Sequence, residues 1–173
     1  MKNERKLDPV ESFIVGTIGA PGEREFFLQA KFHSAIHSFA VDKSQVAALA
    51  DRMALLIGEL KGADFRFENV IAVPLQVPLI PEFQIGTIGI IWIPESEQVM
   101  IEIQEISEFE ENMEIVDAEE LVSFKIYMSP DIANNFVKTA RKIVAAGRMP
   151  CPFCSLPINK EGHLCPRANG YRR

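Results

Sequence analysis

Phe13-Ile-Val-Gly-Thr-Ile-Gly19 returns seventy residues later as Phe83-Gln-Ile-Gly-Thr-Ile-Gly89, with Phe, Gly, Thr, Ile and Gly at matching places. Self-similarity at a fixed offset signals a structural unit used twice. Each copy is a β-prone run rather than a helical one. Each is followed by a turn-forming stretch, Ala20-Pro-Gly-Glu23 or Pro94-Glu-Ser-Glu97, and then by a second strand-like segment, Phe26 to Phe32 or Val99 to Ile106. A third apolar run completes each half, Ile36 to Val41 and Leu121 to Met128. Alternation at Val99, Ile101 and Ile103, and at Val122, Phe124, Ile126 and Met128, predicts strands with one buried face.

A helix closes each half. Asp42 with Gln45 three residues on has the form of a capping box, and Val46, Leu49, Ala50, Met53, Leu56, Ile57 and Leu60 recur at helical spacing before Gly62. Ser129-Pro130 supplies a cap and a proline at the first helical position. Ile132, Phe136, Ala140, Ile143 and Val144 form one stripe, and Gly147 stops it. These readings give an α+β fold, an internally duplicated β-β-β-α unit about a pseudo-twofold axis. The duplicated domain spans residues 1–147, with repeat one at about 10–60, a linker at 61–82 and repeat two at 83–147; a small module follows at 148–173. Pro74, Pro78 and Pro81 deny the linker a place as a central strand, so it is expected to run extended along the surface. The glycines of the two Gly-Thr-Ile-Gly segments are expected where the repeats approach closely, since neither segment joins a strand to a helix as a phosphate cradle would.

The C-terminal module holds Cys151-Pro-Phe-Cys154 and His163-Leu-Cys165, all three cysteines of the chain and one of its three histidines. Three thiolates and an imidazole suit tetrahedral Zn(II), and four protein ligands leave no position for water or substrate, so the site reads as structural. A thioredoxin-type pair would need its CxxC at the start of a helix, which Pro150, Pro152, Pro157 and Pro166 deny. His33 and His37 fall in a strand pair, where a four-residue spacing does not bring two rings to one metal.

The chain of 173 residues has a net charge of -6. From Lys138 onward eight Lys or Arg face only Glu161, which gives +7; ten basic and twenty-three acidic residues remain upstream, which gives -13. A basic tail after an acidic body suits a phosphate-bearing partner, or docking of the tail on its own body. Arg148, Arg167, Arg172 and Arg173 beside Tyr171 could hold a phosphate and stack a ring; the body would repel a long polyanion, which argues against nucleic acid. The run from Glu102 to Glu120, with nine acids and no Lys or Arg, reads as a solvated loop. The charged N-terminus and the lack of a long apolar run predict a cytoplasmic protein without a membrane span. No nucleophile with a base and no open metal site is recognisable, so whether the chain is an enzyme stays open.

Gly16 to Ala30, read with the tail from Ala145 to Arg173, resembles domain of unknown function 3090, a bacterial family. The resemblance implies no established activity. It implies a partner among enzymes encoded nearby, phosphatase-like or kinase-like, and hence a phosphate-related setting. The functional expectation is a non-catalytic zinc-binding adaptor; the alternative is a protein or enzyme that binds a phosphate-containing small molecule such as a nucleotide through the basic tail.

Overall fold

The computed structural model describes residues 3–20, 22–61, 74–106, 121–147, 151–156, 158 and 162–167. Its elements are β1 (Glu4–Leu7), β2 (Ser12–Ile18), β3 (Glu25–Phe32), β4 (Ala35–Val41), α1 (Lys43–Lys61), β5 (Pro81–Ile93), β6 (Gln98–Glu105), β7 (Ser123–Met128) and α2 (Pro130–Ala145). The two heptapeptides fall in β2 and β5, and each strand pairs antiparallel with the next, β3 or β6. No helix among the described residues is long and apolar enough to cross a membrane.

All seven strands form one sheet in the order β1-β7-β6-β5-β4-β3-β2. Two three-stranded antiparallel sets are joined by parallel pairs, β4 with β5 and β7 with β1. The outermost strands, β1 and β2, are separated in sequence only by residues 8–11. Seven flat strands would place the edges about 29 Å apart at about 4.8 Å per strand, whereas five Cα steps from Leu7 to Ser12 reach at most about 19 Å. The sheet must therefore curl. Backbone hydrogen bonds show the closure: Val10 N–H donates to the Tyr127 carbonyl on β7 at 2.9 Å, and the next residue, Glu11, donates to Lys31 on β3 at 2.8 Å. One chain path is flanked by both ends of the sheet order, so β1 and β2 serve as a single broken stave of a closed barrel.

The alternation expected of β6 and β7 is present: Val99, Ile101, Ile103, Phe124, Ile126 and Met128 are all fully buried. Rings from β4, β5 and β7 meet, with Phe39 and Phe124 centroids 4.9 Å apart and Phe83 at 5.2 and 5.9 Å from them. Strands that are not neighbours thus share one aromatic cluster, as a curled sheet requires. Both helices join the same core. Val46, Leu49, Ala50, Met53 and Ile57 of α1 and Ala133, Phe136, Val137 and Ala140 of α2 are buried, and Phe136 lies 4.9 Å from Phe13 of β2.

The helix caps follow from the residues that signal them. Gln45 Oε1 accepts from the Asp42 N–H at 3.0 Å, and the Asp42 carbonyl accepts from Val46. Ser129 Oγ accepts from the Ile132 N–H, with Pro130 as the first helical residue. Gly62 lies outside the described residues; Gly147 sits just beyond the end of α2.

Four expectations are corrected in detail. First, β1 is an additional strand, recruited by parallel pairing with β7. Second, Pro81 belongs to β5 rather than to the linker, at a strand start where its missing N–H costs no ladder bond. Third, the glycines do not mark an approach of one repeat to the other. A Cβ on Gly16 would stand 2.3 Å from Leu75 Cγ, and one on Gly86 would stand 2.8 Å from Ile106 Cα. Leu75 belongs to the crossover, which lies on the face of β2 and β3 turned away from the core; Gln29, 3% exposed there, donates to the Gln76 carbonyl at 2.9 Å and accepts from its N–H at 2.8 Å. The proline-bearing segment thus packs along the surface, held by a buried amide that finds every partner it needs. Fourth, Glu102 and Glu105 are residues of β6, not of a loop, and Glu105 Oε1 accepts from Val122 N–H at 2.7 Å. Acids 108–120 lie outside the described residues.

Candidate metal centre

The last turn of α2 is followed, after residues 148–150, by a compact knuckle. Cys151 N–H donates to the Leu156 carbonyl at 2.8 Å, and Ser155 N–H donates back to the Cys151 carbonyl at 2.8 Å. Ser155 takes a positive φ of 61°, just after the cysteine pair, and Gly162 one of 87°, just before His163, so the chain turns at the end of the first arm and at the start of the second. Reversal turns both thiols of the CxxC to the same side and leaves room for the second arm.

That arm brings His163 and Cys165. The four ligand atoms of Cys151, Cys154, His163 and Cys165 all lie within 4.8 Å of one another. Cys151 and Cys165 sulfurs are 3.8 Å apart, and Cys154 Sγ stands 3.2 Å from His163 Nε2. All three cysteines are free thiols; Cys151 and Cys165 are buried, Cys154 half-buried. Three thiols that are not bonded to one another yet share one small volume with an imidazole form a set of donors able to hold a metal ion.

The backbone prepares one of them. Burial disfavours the Cys151 thiolate, but hydrogen bonds from the backbone of Phe153 and Cys154, with those of the neighbouring thiols, outweigh it and hold the thiol below its ordinary value. Burial pushes Cys154 up, and the adjoining Cys165 and Cys151 add to the rise against a backbone bond at Leu156. Crowded thiols cannot all ionise cheaply without a cation among them.

Of the residues expected to hold an anion, Arg148, Tyr171, Arg172 and Arg173 lie outside the described residues. Arg167 is described, and its guanidinium donates to the Phe153 carbonyl at 3.2 Å, tying the second arm to the knuckle. His33 sits at the β3–β4 turn with φ of 53°, its ring 4.2 Å from Phe32. His37 is in β4, where Nδ1 meets Glu82 Oε1 at 2.8 Å. The two histidines have different partners and do not form a site. Arg24 and Lys43 passed unnoticed in the sequence: a single Arg between acids and a Lys opening a helix carry no motif, and only folding sets both at the end of α2.

No curated protein and no solved structure matches the chain. A family model matches residues 5–165, covering the barrel, both helices and all four donors; its description is "Protein of unknown function (DUF3090)".

Proposed function

Since this chain belongs to the DUF3090 family of proteins of unknown function, we propose that it is a non-catalytic adaptor, an α+β barrel carrying a zinc-organised module that docks on another protein. The observation that carries the reading is the closed set of four donors within 4.8 Å. A tetrahedral zinc with Zn–S of about 2.3 Å and Zn–N of about 2.0 Å sets its sulfurs about 3.8 Å apart and a sulfur and nitrogen about 3.5 Å apart. The 3.8 Å and 3.2 Å separations fit such an ion with little movement. Three thiolates favour Zn(II) over hard cations, and a fourth protein ligand leaves no position for substrate. Cys151, Cys154, His163 and Cys165 would then fix the module's shape, not perform chemistry.

Phe153, Leu156 and Leu164 stand on that module at 64%, 50% and 85% exposure. Three large apolar side chains displayed by a metal-braced loop suit protein contact. The net positive charge that the sequence carries from Lys138 onward suits a partner with an acidic surface, and the family resemblance points to phosphatase-like or kinase-like enzymes as candidates. The alternative is a phosphate-bearing small molecule held by the basic tail, of which Arg167, donating to the Phe153 carbonyl, is the described member.

We also read the two β-β-β-α halves as a duplication: the repeated heptapeptides open corresponding strands, and β4 with β5 has its counterpart in β7 with β1. Native mass spectrometry of the protein from its own cells tests the adaptor. The expected result is one zinc per chain and a retained protein partner, lost in a Phe153→Ser, Leu164→Ser double variant that keeps its zinc. Absence of zinc from reduced protein overturns the metal reading; a partner that stays bound to the double variant overturns the docking surface.

A further inference from the structure

A cavity of about 630 Å³ opens where the β2–β3 loop, the start of α1 and the end of α2 converge, and it shares no residue with the metal centre. Its volume is in the range of small-molecule sites. One wall comes from the loop after β2, where Gly19 and Gly22 take φ of 102° and 101°. A Cβ on Gly19 would stand 2.6 Å from the Glu23 carbonyl, which is why the turn needs glycine there. This turn delivers Arg24 to the end of α2, where its NH1 donates to the Ala146 carbonyl at 2.8 Å.

The opposite wall delivers a second cation to the same place. Lys43 opens α1, and its Nζ lies 3.1 Å from where a Cβ of Gly147 would stand. Lys43 has no ion pair or hydrogen bond among the described residues. Two positive groups therefore converge on consecutive residues, Ala146 and Gly147, with no carboxylate bonded to either among the described residues. Phe26 and Val41, both buried, and Ile143 and Val144, half-buried, supply the apolar lining. Glu25 and Asp42 also line the cavity, and both are exposed to solvent. Arg24 spends one of five guanidinium donors on Ala146 and the Lys43 ammonium spends none among the described residues, so both keep donors for a ligand; the lining carboxylates, Glu25 and Asp42, form no hydrogen bond with either cation among the described residues.

We propose that this cavity is a binding site for a small anionic molecule with an apolar or planar body, its phosphate or carboxylate held by Arg24 and Lys43 and its body laid against Phe26, Val41 and Val144. An anion relieves the repulsion of two converging cations and satisfies their free donors. The rival role for the pair is to cap the carbonyl end of α2, which also favours positive charge.

The two roles separate in solution. The full-length protein is titrated with phenyl phosphate, phenylacetate and, as a neutral control, benzyl alcohol, following the amide resonances of Gly22 and Lys43. The anions are expected to shift both resonances saturably and the alcohol not; the tighter of the two anions identifies the preferred group. Lys43→Ala, which removes no hydrogen bond or ion pair among the described residues, is expected to weaken binding tenfold or more, Val144→Trp to block it by filling the cavity, and Arg167→Ala to leave it unchanged. Absence of saturable shifts, shifts as large in Lys43→Ala as in the parent, or loss of binding in Arg167→Ala would overturn the proposal, the first of these leaving Arg24 and Lys43 as helix caps.

Discussion

Gly16 is required by a neighbour sixty residues away rather than by its own turn. With Leu75 Cγ 2.3 Å from the place of a Cβ, Gly16→Ala forces the crossover outward; the expected cost is about 1–3 kcal/mol. Adding Leu75→Ala should recover most of the loss beyond what additivity allows, which a double-mutant cycle by urea unfolding checks. Gln29 makes a comparable test of the same contact from the β3 side. Gln29→Ala leaves the Gln76 N–H and carbonyl without their partner, at an expected cost of about 1–3 kcal/mol. Acid sensitivity has a residue-scale source in Asp8, whose carboxyl is held below its ordinary value of 3.8 by hydrogen bonds from Lys6 and, less, from Gln98, against desolvation. A depressed folded pKa means that the ionised form stabilises the fold above pH 3.8 and that this contribution is lost as pH falls through the lower, folded value. Asp8→Asn should therefore flatten the fall in stability below pH 3.8, seen in urea midpoints taken across the acid range. The contacts of Gly16 with Leu75, of Gln29 with Gln76 and of Asp8 with Gln98 were not legible in sequence, because their partners lie far apart in the chain at spacings that carry no periodicity.

At the scale of elements the sequence was most informative where a local signal and a buried face agree. The caps at Asp42 and Ser129 act within one turn, so their residues alone specify them. Ser129→Ala should cost about 1 kcal/mol and leave the N–H of Ile132 without its acceptor. Strand boundaries were less legible: β5 runs for 13 residues from Pro81 because its first part pairs with β4 and its second with β6, and no local pattern announces a change of partner. Likewise β1, four residues long, exists only through β7. If the two halves are equivalent, the parallel crossover from β4 through α1 to β5 has its counterpart from β7 through α2 to β1. A permuted body in which residues 74–147 precede residues 3–61, joined by a linker as long as the natural crossover, should keep its circular dichroism and a single cooperative melt. A permuted chain that stays unfolded would count against the equivalence.

For the molecule as a whole, a large apolar core and a small module braced by the proposed zinc are expected to fail separately. Zinc binding to structural sites is worth on the order of 10 kcal/mol, and the described residues between 151 and 167 have little apolar burial beyond Cys151 and Cys165. Chelation should therefore raise amide exchange across residues 151–167 while Phe124, Ile126 and Phe136 stay protected, as hydrogen exchange can show. The sequence by itself determined the two strands that carry the repeated heptapeptide, the two helices and their caps, the surface path of residues 74–80 and the Cys/His residues that gather at the candidate metal centre, because those signals depend on periodicity, turn chemistry and close spacing. Only the tertiary structure decided that the sheet closes, that Gly16 answers to Leu75, and that Arg24 and Lys43 meet at the end of α2. Each of those brings together residues far apart in the chain through geometry that accumulates over many strands, and a local pattern holds no record of where such a path ends.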